Sequence, residues 1–457
     1  MMADRGIVFL ALLLLSLCAI PAAGEGPESE PESGKLSLMT LLPDLTPVSS
    51  YEGDLWTRPV LFGDVAGYRQ ALLEKGVALD FGLTQVPQGV VSGGKKEEWK
   101  YGASADYYLF LDSGRLGLWP GGLVGIHAES KFGHSVLSQS GVISPVNADW
   151  LWPSPGEESE TFLSEYYIWQ GVTDWLMLQA GRVNWTALAD QSRFANDEKT
   201  QFLNMSLRNT PLLGAFVPLT AHGVAAIVEP HPNVSLAIVA VSANDQPDEY
   251  GSPGGLFSEV TPAVELDVSW KLGDLPGTAR PAFAWTSLDP VAYDNPFLVP
   301  ELILGLDLPE KSDNWIVNLN FDQYVFMPKK QSVPKLRTAP FDTEPEGIGV
   351  FFRFAYTPED RNAWNMFVSG GIGGRGVVPS RPNDRYGLGF YAMIESDDLK
   401  AQPILGGLLD TEWGMEIFYN IAITPWLQFT PDIQYIQSGL PGVDDAVVVA
   451  TRVQMYF

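Results

Sequence analysis

Alternating apolar and polar residues recur in short segments along nearly the whole chain. Within Trp426–Gln437, for example, the apolar Leu427, Phe429, Ile433 and Tyr435 alternate with polar residues. Successive side chains of a β-strand point to opposite faces, so such a strand has one apolar face and one polar face. This pattern fits a soluble sheet, whose apolar face meets a protein core, or a membrane barrel, whose apolar face meets lipid.

Sixteen segments can be read as strands, and most have about the 9–11 residues that a tilted strand needs to cross a bilayer. The predicted strands are 77–88, 101–112, 122–132, 161–171, 175–183, 222–229, 234–242, 263–271, 279–287, 315–326, 347–356, 365–375, 386–395, 413–423, 427–436 and 446–457. After residue 24 no apolar run approaches the length of a transmembrane helix. An all-β chain with an even strand number favours a transmembrane antiparallel β-barrel of about 16 strands.

The lengths of the links between these strands provide a second indication. Short links such as "GVTDW", "EPHPN", "LGDLPGT" and "ITPW" alternate with the long links 133–160, 184–221, 243–262, 288–314 and 396–412. Short turns on one side and long loops on the other are typical of outer-membrane barrels. Two links break the rule, because 327–346 is long and Thr357–Trp364 is short. A hairpin hidden near 327–346 would change the strand count by two.

The N-terminal residues predict export. Arg5, the apolar run Ile7–Ile20 and the small residues that follow form the pattern of a signal peptide, assigned to residues 1–24. Cys18 is the only cysteine, so the mature chain is predicted to contain no disulfide and no cysteine metal site.

Three further regions are predicted between the signal peptide and the end of the chain. Residues 25–60 are acidic at their start and rich in proline and serine, so they are interpreted as a flexible leader. Residues 61–76 predict a short periplasmic helix with Asp64 as its N-cap and Gly76 as its stop. Residues 77–457 are assigned to the barrel.

Charge excludes some functions. The chain has 28 Lys and Arg against 55 Asp and Glu, a formal charge of −27, which disfavours a nucleic-acid partner. Only 18% of residues are charged, compared with about 25% in ordinary soluble domains. Apolar and aromatic surface is therefore expected to face something other than water.

The chain ends on an alternating strand, with Tyr456 and Phe457 as its last residues. In a barrel, this strand would close the sheet by pairing with the first strand. The terminal aromatic residue would then belong to the girdle at the periplasmic interface. Tyr456 and Phe457 are therefore the predicted residues for barrel closure and assembly.

Several stretches resemble the carbohydrate-selective porin family of Gram-negative outer membranes. They extend from Leu61 to Phe457 and read "LFGDVAGYRQALLEKGV" with "VSGG", "DSGRLGLWPGG", "LQAGRVN", "PSRPNDRYGLGF", "EIFYNIAITPWLQFTPDIQYI" and "DAVVVATRVQMYF". The resemblance implies a trimeric 16-stranded barrel that passes sugars across the outer membrane. One departure is that Val65 and Ala66 stand where the family commonly has a tryptophan and a glycine ("GDWGG"). The expected partners are carbohydrates, outer-membrane lipid and the barrel-assembly machinery.

The alternation also predicts which side chains face the lumen. Sugar hydroxyls pair with planar polar groups, and sugar C–H faces lie on aromatic rings. Arg182 is included because it precedes the long segment 184–221, a candidate to fold inward, although alternation from Leu178 and Ala180 would point it outward. Acids outnumber bases by about two to one in the inward set, which disfavours anions. The predicted solute-contacting residues are Glu129, Glu165, Tyr167, Trp169, Arg182, Asp322, Arg353, Glu416, Gln428, Asp432 and Gln434.

Three other functions are compatible with parts of the sequence. An outer-membrane enzyme would need an activated nucleophile beside a base, and His127, His134, His222 and His231 fit structural or loop positions better. A secreted all-β binding protein does not explain the loop lengths or the terminal Phe457. A porin for amino acids or cations remains an alternative. No cofactor or metal is predicted, although acids such as Asp444 leave a loop calcium ion open.

Overall fold

The computed structural model of the chain describes residues 50–150, 160–245, 255–329 and 345–457. The predicted signal peptide and residues 25–49 of the predicted leader lie outside these ranges. Within them, no helix combines the length and the apolar character needed to cross a membrane.

Sixteen antiparallel strands form one closed barrel in which each strand pairs with its neighbours in sequence and β1 pairs with β16. The strands are β1 (Val77–Gly94), β2 (Glu98–Asp112), β3 (Gly122–Gly133), β4 (Glu160–Thr173), β5 (Leu176–Val183), β6 (Ala221–His231), β7 (Val234–Ser242), β8 (Val260–Leu272), β9 (Leu275–Thr286), β10 (Asn314–Phe326), β11 (Gly347–Tyr356), β12 (Trp364–Arg375), β13 (Arg385–Glu395), β14 (Glu412–Thr424), β15 (Leu427–Gln437) and β16 (Asp444–Tyr456).

The predicted strands are confirmed in number and in order. The main differences are at the ends, where β1 runs six residues further than expected, to Gly94. The long link after β10 contains residues 330–344, which lie outside the described ranges. Because β10 pairs directly with β11, no further hairpin enters the barrel wall at this link.

The two faces of the wall follow the alternation. On β15, Gln428, Thr430, Asp432 and Gln434 are at most 1% exposed, whereas Ile433 is 50% exposed. The polar face therefore points into the barrel and the apolar face points outward. An apolar outer wall is the surface that a bilayer would cover.

Short helices lie outside the strands. Within the described ranges, the α-helices are α1 (Tyr68–Glu74), α2 (Leu137–Ser140), α3 (Trp185–Leu188), α4 (Met205–Arg208), α5 (Leu298–Leu304) and α6 (Asp397–Ala401), with 3₁₀ turns at Ala148–Trp150, Pro211–Ala215 and Leu405–Gly407. Helices α3 and α4 belong to residues 184–220, between β5 and β6, which we call the inward loop.

The N-terminal helix is shorter than predicted and starts differently. It covers Tyr68–Glu74, and Gly67 rather than Asp64 is its N-cap. The Asp64 carboxylate nevertheless accepts a hydrogen bond from the backbone N–H of Gln70 at 2.6 Å. Val65 and Ala66 have φ angles of 49° and 60°, in the left-handed region that favours glycine. The departure from the family's "GDWGG" thus falls on backbone that a glycine would adopt with less strain.

Part of the segment predicted as a flexible leader is packed against the barrel. Tyr51 and Val60 are at most 2% exposed and cluster with Leu73 of α1. The Tyr51 hydroxyl donates to the carbonyl of Leu79 at 3.3 Å. Tyr51, Val60 and Leu73 therefore lie against the inner wall at the end of the barrel where β1 begins, which is the periplasmic end if the long loops are extracellular.

Barrel closure gives a first prediction, for a chain that lacks Phe457. The Phe457 N–H donates to the carbonyl of Phe81 on β1 at 2.9 Å, and its ring lies 5.7 Å from that of Phe62. Deletion of Phe457 should lower outer-membrane yield severalfold, because the closing strand loses this hydrogen bond and its girdle aromatic. Fractionation and immunoblotting would measure yield and signal removal separately. Phe457→Trp keeps the ring and is expected to assemble normally; equal yields of the deletion and the wild type would contradict this role.

Candidate functional site

One side of the barrel interior is filled by protein. Phe194, Phe202 and Leu207 of the inward loop belong to a buried apolar cluster with inward side chains of the wall, among them Phe351 and Phe418. The rings of Phe202 and Phe418 pack edge to face with their centroids 4.8 Å apart. The prediction that the segment after Arg182 folds inward is therefore confirmed.

Glycines on the inner face make room for these rings. A Cβ atom at Gly349 would fall on the ring of Phe194, and one at Gly387 would lie 2.6 Å from the ring of Phe202. Any side chain at these two positions would displace the inward loop. The alternating glycines in "GIGV" and "YGLGF" are thus explained by the close packing of the inward loop on the wall.

Arg353 and Glu416 hold the inward loop and do not line an open lumen. The Arg353 guanidinium donates to the carbonyls of Leu207 at 2.6 Å and Arg208 at 2.8 Å, and also to that of Ala195. The Glu416 carboxylate accepts hydrogen bonds from the N–H groups of Leu203 at 2.5 Å and Asn204 at 2.8 Å. Both side chains are at most 1% exposed. Their predicted role as solute contacts is replaced by an anchoring role.

The other predicted residues on β10 and β15 are also buried beneath polypeptide. Asp322 accepts hydrogen bonds from Ser192 of the inward loop at 2.6 Å and pairs with Arg280 at 3.0 Å. Gln434 donates to the carbonyl of Val146 at 2.8 Å. The same burial applies to Gln428 and Asp432, each 1% exposed. Asp322 and Gln434 are therefore bound by loop residues.

Trp169 faces inward as predicted, but it is covered. It is 5% exposed and clusters with Tyr51, Val60 and Leu73 of the N-terminal segment. Its ring therefore offers no open face to a solute, and the interpretation of Trp169 as a stacking platform is wrong. Tyr167, two residues closer to the middle of the wall, is half-buried, and its ring lies 6.1 Å from that of Trp169.

Arg182 is buried between β4 and β6, with 2% of its surface exposed. It pairs in register with Tyr166 of β4 and His222 of β6, which alternate with inward neighbours. Its guanidinium donates to the Thr220 hydroxyl at 3.5 Å. Unlike Leu178 on the same strand, which is 43% exposed, Arg182 is covered by protein, and its contact with a solute stays a prediction.

A polar cavity remains on the side of β2, β3 and β4. Its volume is about 180 Å³, room for on the order of ten water molecules. Glu129 and Glu165 are the predicted residues that it contains. The lining residues are Asp106, Tyr108, His127, Glu129, Lys131, Ala148, Asp149, Glu165, Asn184, Glu198, Lys199, Met205, Arg208, Leu219 and Thr220.

The charges of this cavity are paired with one another. Lys199 of the inward loop bridges Asp106 on β2 at 2.9 Å and Asp149 at 2.5 Å. Lys131 on β3 contacts Glu129 at 3.1 Å and Asp149 at 3.3 Å. Burial by itself would lower the pKa of Lys199, but the two carboxylates raise that pKa well above its ordinary value. The cavity therefore holds fixed ion pairs that join the loops to the wall.

His127 completes the network on the wall. Its Nδ1 atom lies 3.0 Å from the Glu165 carboxylate and its Nε2 atom 3.1 Å from that of Asp106. The His127 ring stacks on the ring of Tyr108, with centroids 4.0 Å apart and planes 11° apart. The second carboxylate oxygen of Glu165 accepts the N–H of Asn184 at 2.8 Å. The stacked rings of Tyr108 and His127 and the carboxylates around them thus line one side of the cavity.

Some of these residues are close enough to ligate a metal ion, but neighbouring lysines disfavour metal binding. Among the described residues, Asp106, His127 and Glu129 offer atoms within 4.8 Å of one another. Lys199 and Lys131 already neutralise the two carboxylates, and their ammonium groups would repel a divalent cation. These residues therefore form an ion-pair network with the two lysines, and the network does not favour binding of a metal cation.

Sequence reasoning missed the residues that the loops supply. Asp149, Glu198, Lys199 and Arg208 come from two loops and carry no alternation that could place them. It also missed basic side chains on the wall, such as Arg280, which is 7% exposed and pairs with Asp267 and Asp322. The predicted two-to-one excess of acids is therefore an overestimate for the interior.

Comparisons with known proteins agree with this architecture. Residues 96–457 match the family model for carbohydrate-selective porins, the OprB family. Porin B of Pseudomonas aeruginosa is 27% identical over 128 residues, which is 24% of this chain and 28% of that protein, so the chain spans little more than a quarter of that relative's length in the match.

The fold is shared with solved structures of Pseudomonas putida OprB. The high-pH structure of Pseudomonas putida OprB has a TM-score of 0.75 at 20% identity, covering 89% of this chain and 100% of that chain. The low-pH structure has a TM-score of 0.55 at 16% identity, covering 88% and 99%. With the family match extending over most of its length, the chain belongs to the carbohydrate-selective porin family, OprB, of Gram-negative outer membranes.

Proposed function

We propose that the protein lets small neutral carbohydrates diffuse across the outer membrane and that a sugar binds transiently in the cavity beside β2, β3 and β4. The observation that carries this proposal is the lining of the cavity. It combines planar polar groups, which suit sugar hydroxyls, with the stacked Tyr108 and His127 rings, which suit a sugar's C–H face. Resemblance to sugar porins supports the same solute class.

Charge pairing favours neutral solutes over anions. Each lysine or arginine in the cavity lining contacts a carboxylate, including Arg208, which binds Glu198. An anion would have to displace one of these carboxylates from its partner, whereas a sugar can add hydrogen bonds without breaking an ion pair. A porin for cations or amino acids remains the second candidate, since five carboxylates line the cavity.

Replacement of Tyr108 tests the site. Tyr108→Ala removes the aromatic ring on which a sugar would stack. Because about 1 kcal/mol of apolar contact is lost, glucose should block the ion current with roughly fivefold lower affinity. The measurement is the concentration dependence of the block in planar bilayers. Tyr108→Phe keeps the ring and is expected to retain the block.

Tyr107→Ala is the matched control, because Tyr107 is the next residue on β2 and faces outward with 39% exposure. An equal loss of block in Tyr107→Ala would mean that the cavity is not the binding site. Liposome swelling tests the solute class. Faster entry of phosphate or glucuronate than of glucose would contradict selectivity for neutral sugars, and faster entry of cationic amino acids would favour the second candidate.

Assembly and the lack of catalysis are also proposals. The family consists of channel proteins, and we infer that this chain has no enzymatic activity. In support, both nitrogens of His127 lie against carboxylates, so neither is placed to activate a nucleophile. We further propose a homotrimer, inserted by the barrel-assembly machinery.

A further inference from the structure

The segment before α1 has two different faces. Tyr51 and Val60 are buried inside the barrel mouth, whereas Leu55, Trp56 and Phe62 are 44%, 68% and 63% exposed. We call Asp54–Phe62 the rim segment. Its large exposed side chains have no covering among the described residues of the chain, although each would be costly to leave in water.

The rim segment is fixed to the end of the barrel wall at two points. The indole Nε1–H of Trp426, in the turn between β14 and β15, donates to the carbonyl of Leu55 at 2.8 Å. The N–H of Leu61 donates to the carbonyl of Tyr456 at 2.8 Å. The segment therefore follows the rim above β14, β15 and β16.

The turn that presents Trp56 is well formed. The Asp54 carboxylate accepts hydrogen bonds from the N–H of Trp56 at 2.9 Å and from the hydroxyl of Thr57 at 2.8 Å. The Arg58 guanidinium is bound to the carbonyl of Leu61. The two charged side chains of the segment, Asp54 and Arg58, thus form hydrogen bonds with its own backbone, and its outer surface is mainly apolar and aromatic.

This surface is continuous with the lipid-facing wall. The rings of Phe62 and Phe457 are 5.7 Å apart, and the Phe457 N–H binds the carbonyl of Phe81. Phe81 is on the outward face of β1, 37% exposed, and its ring packs edge to face with that of Tyr107 at 5.9 Å. The girdle of the outer wall therefore extends onto the rim segment through Phe457.

We propose that the rim segment lies in the phospholipid interface of the periplasmic leaflet, with Trp56 and Phe62 among the lipid headgroups. Tryptophan and other aromatic side chains favour this region because they combine an apolar ring with polar or polarisable edges. Zwitterionic phospholipid suffices, since the segment carries one acid and one base, both bound to its backbone. This contact is independent of the solute that the lumen passes.

The test places a single label on the segment. In a Cys18→Ser background the chain has no other cysteine, so Trp56→Cys and Phe62→Cys can each carry an environment-sensitive fluorophore. The variants are reconstituted in phosphatidylethanolamine and phosphatidylcholine vesicles that contain lipid spin-labelled at the headgroup. Both labels are expected to be quenched severalfold more than a label at Asp274→Cys, in the exposed turn between β8 and β9.

Ile433→Cys, on the outward face of β15, serves as the lipid-facing control and should respond most to a label deep in the acyl chains. Quenching at either rim position as weak as at Asp274→Cys overturns the proposal. If a second copy of the chain covers the segment, the labels are shielded from both spin-labelled lipid and aqueous iodide, and this result overturns it as well. Sugar flux measured on the same variants reports separately on the proposed function.

Discussion

Arg353→Ala is expected to give a barrel that conducts ions with a higher and more variable conductance and that no longer binds sugar. Arg353 holds the inward loop against the wall, since its guanidinium donates to the carbonyls of Ala195, Leu207 and Arg208. A buried acceptor that loses its donor costs about 1–3 kcal/mol. Even partly additive costs over three carbonyls reach about 3 kcal/mol, which is more than a hundredfold in the ratio of docked to undocked loop.

Single-channel recording of refolded barrels measures this effect directly. Arg353→Lys provides a graded variant, because a lysine keeps the charge but reaches fewer of the three carbonyls with its single ammonium group. Arg361→Ala is the matched control. Arg361 is also an arginine that donates to backbone carbonyls, but those of Ser312 and Asp313 at the extracellular end. Wild-type conductance in a correctly assembled Arg353→Ala barrel would show that the loop is held elsewhere.

The barrel itself could be predicted because its causes are local and repeated. A strand that separates lipid from a polar interior must alternate, and Ile433 and Gln434 illustrate how closely exposure follows that alternation. Alternation also determined the inward orientation of Glu165, Asp322 and Glu416. The alternation does not indicate which partner each inward side chain contacts.

The site was harder to predict because its partners are distant in sequence. Glu416 binds the backbone of Leu203 and Asn204, more than two hundred residues earlier, and Trp169 is buried in a cluster that includes Tyr51 of the N-terminal segment. An inward polar residue looks the same in sequence whether it faces water or a loop. The glycines opposite Phe194 and Phe202 carried a signal, since alternating glycines on an inner face indicate close packing.

Replacing Lys199 should change the charge selectivity of the channel. Lys199 is bound to Asp106, Asp149 and the Ser104 hydroxyl, so Lys199→Met leaves one uncompensated negative charge beside the cavity. A unit charge about 4 Å away contributes about 1 kcal/mol in water. We therefore expect the permeability ratio of potassium to chloride to rise roughly fivefold in dilute salt and to approach the wild-type ratio as salt screens the charge. Reversal potentials in a salt gradient measure this ratio.

Two variants separate this electrostatic effect from damage to the fold. Lys311→Met is the matched control, because Lys311 also bridges two aspartates, Asp294 and Asp360, but these residues lie in the links between β9 and β10 and between β11 and β12 and do not line the cavity. It is expected to leave the permeability ratio unchanged. Lys199→Met combined with Asp149→Asn removes one charge of each sign, so the ratio should return towards the wild-type value. A double variant as cation-selective as Lys199→Met would show that selectivity arises from loop displacement instead of the charge at this site.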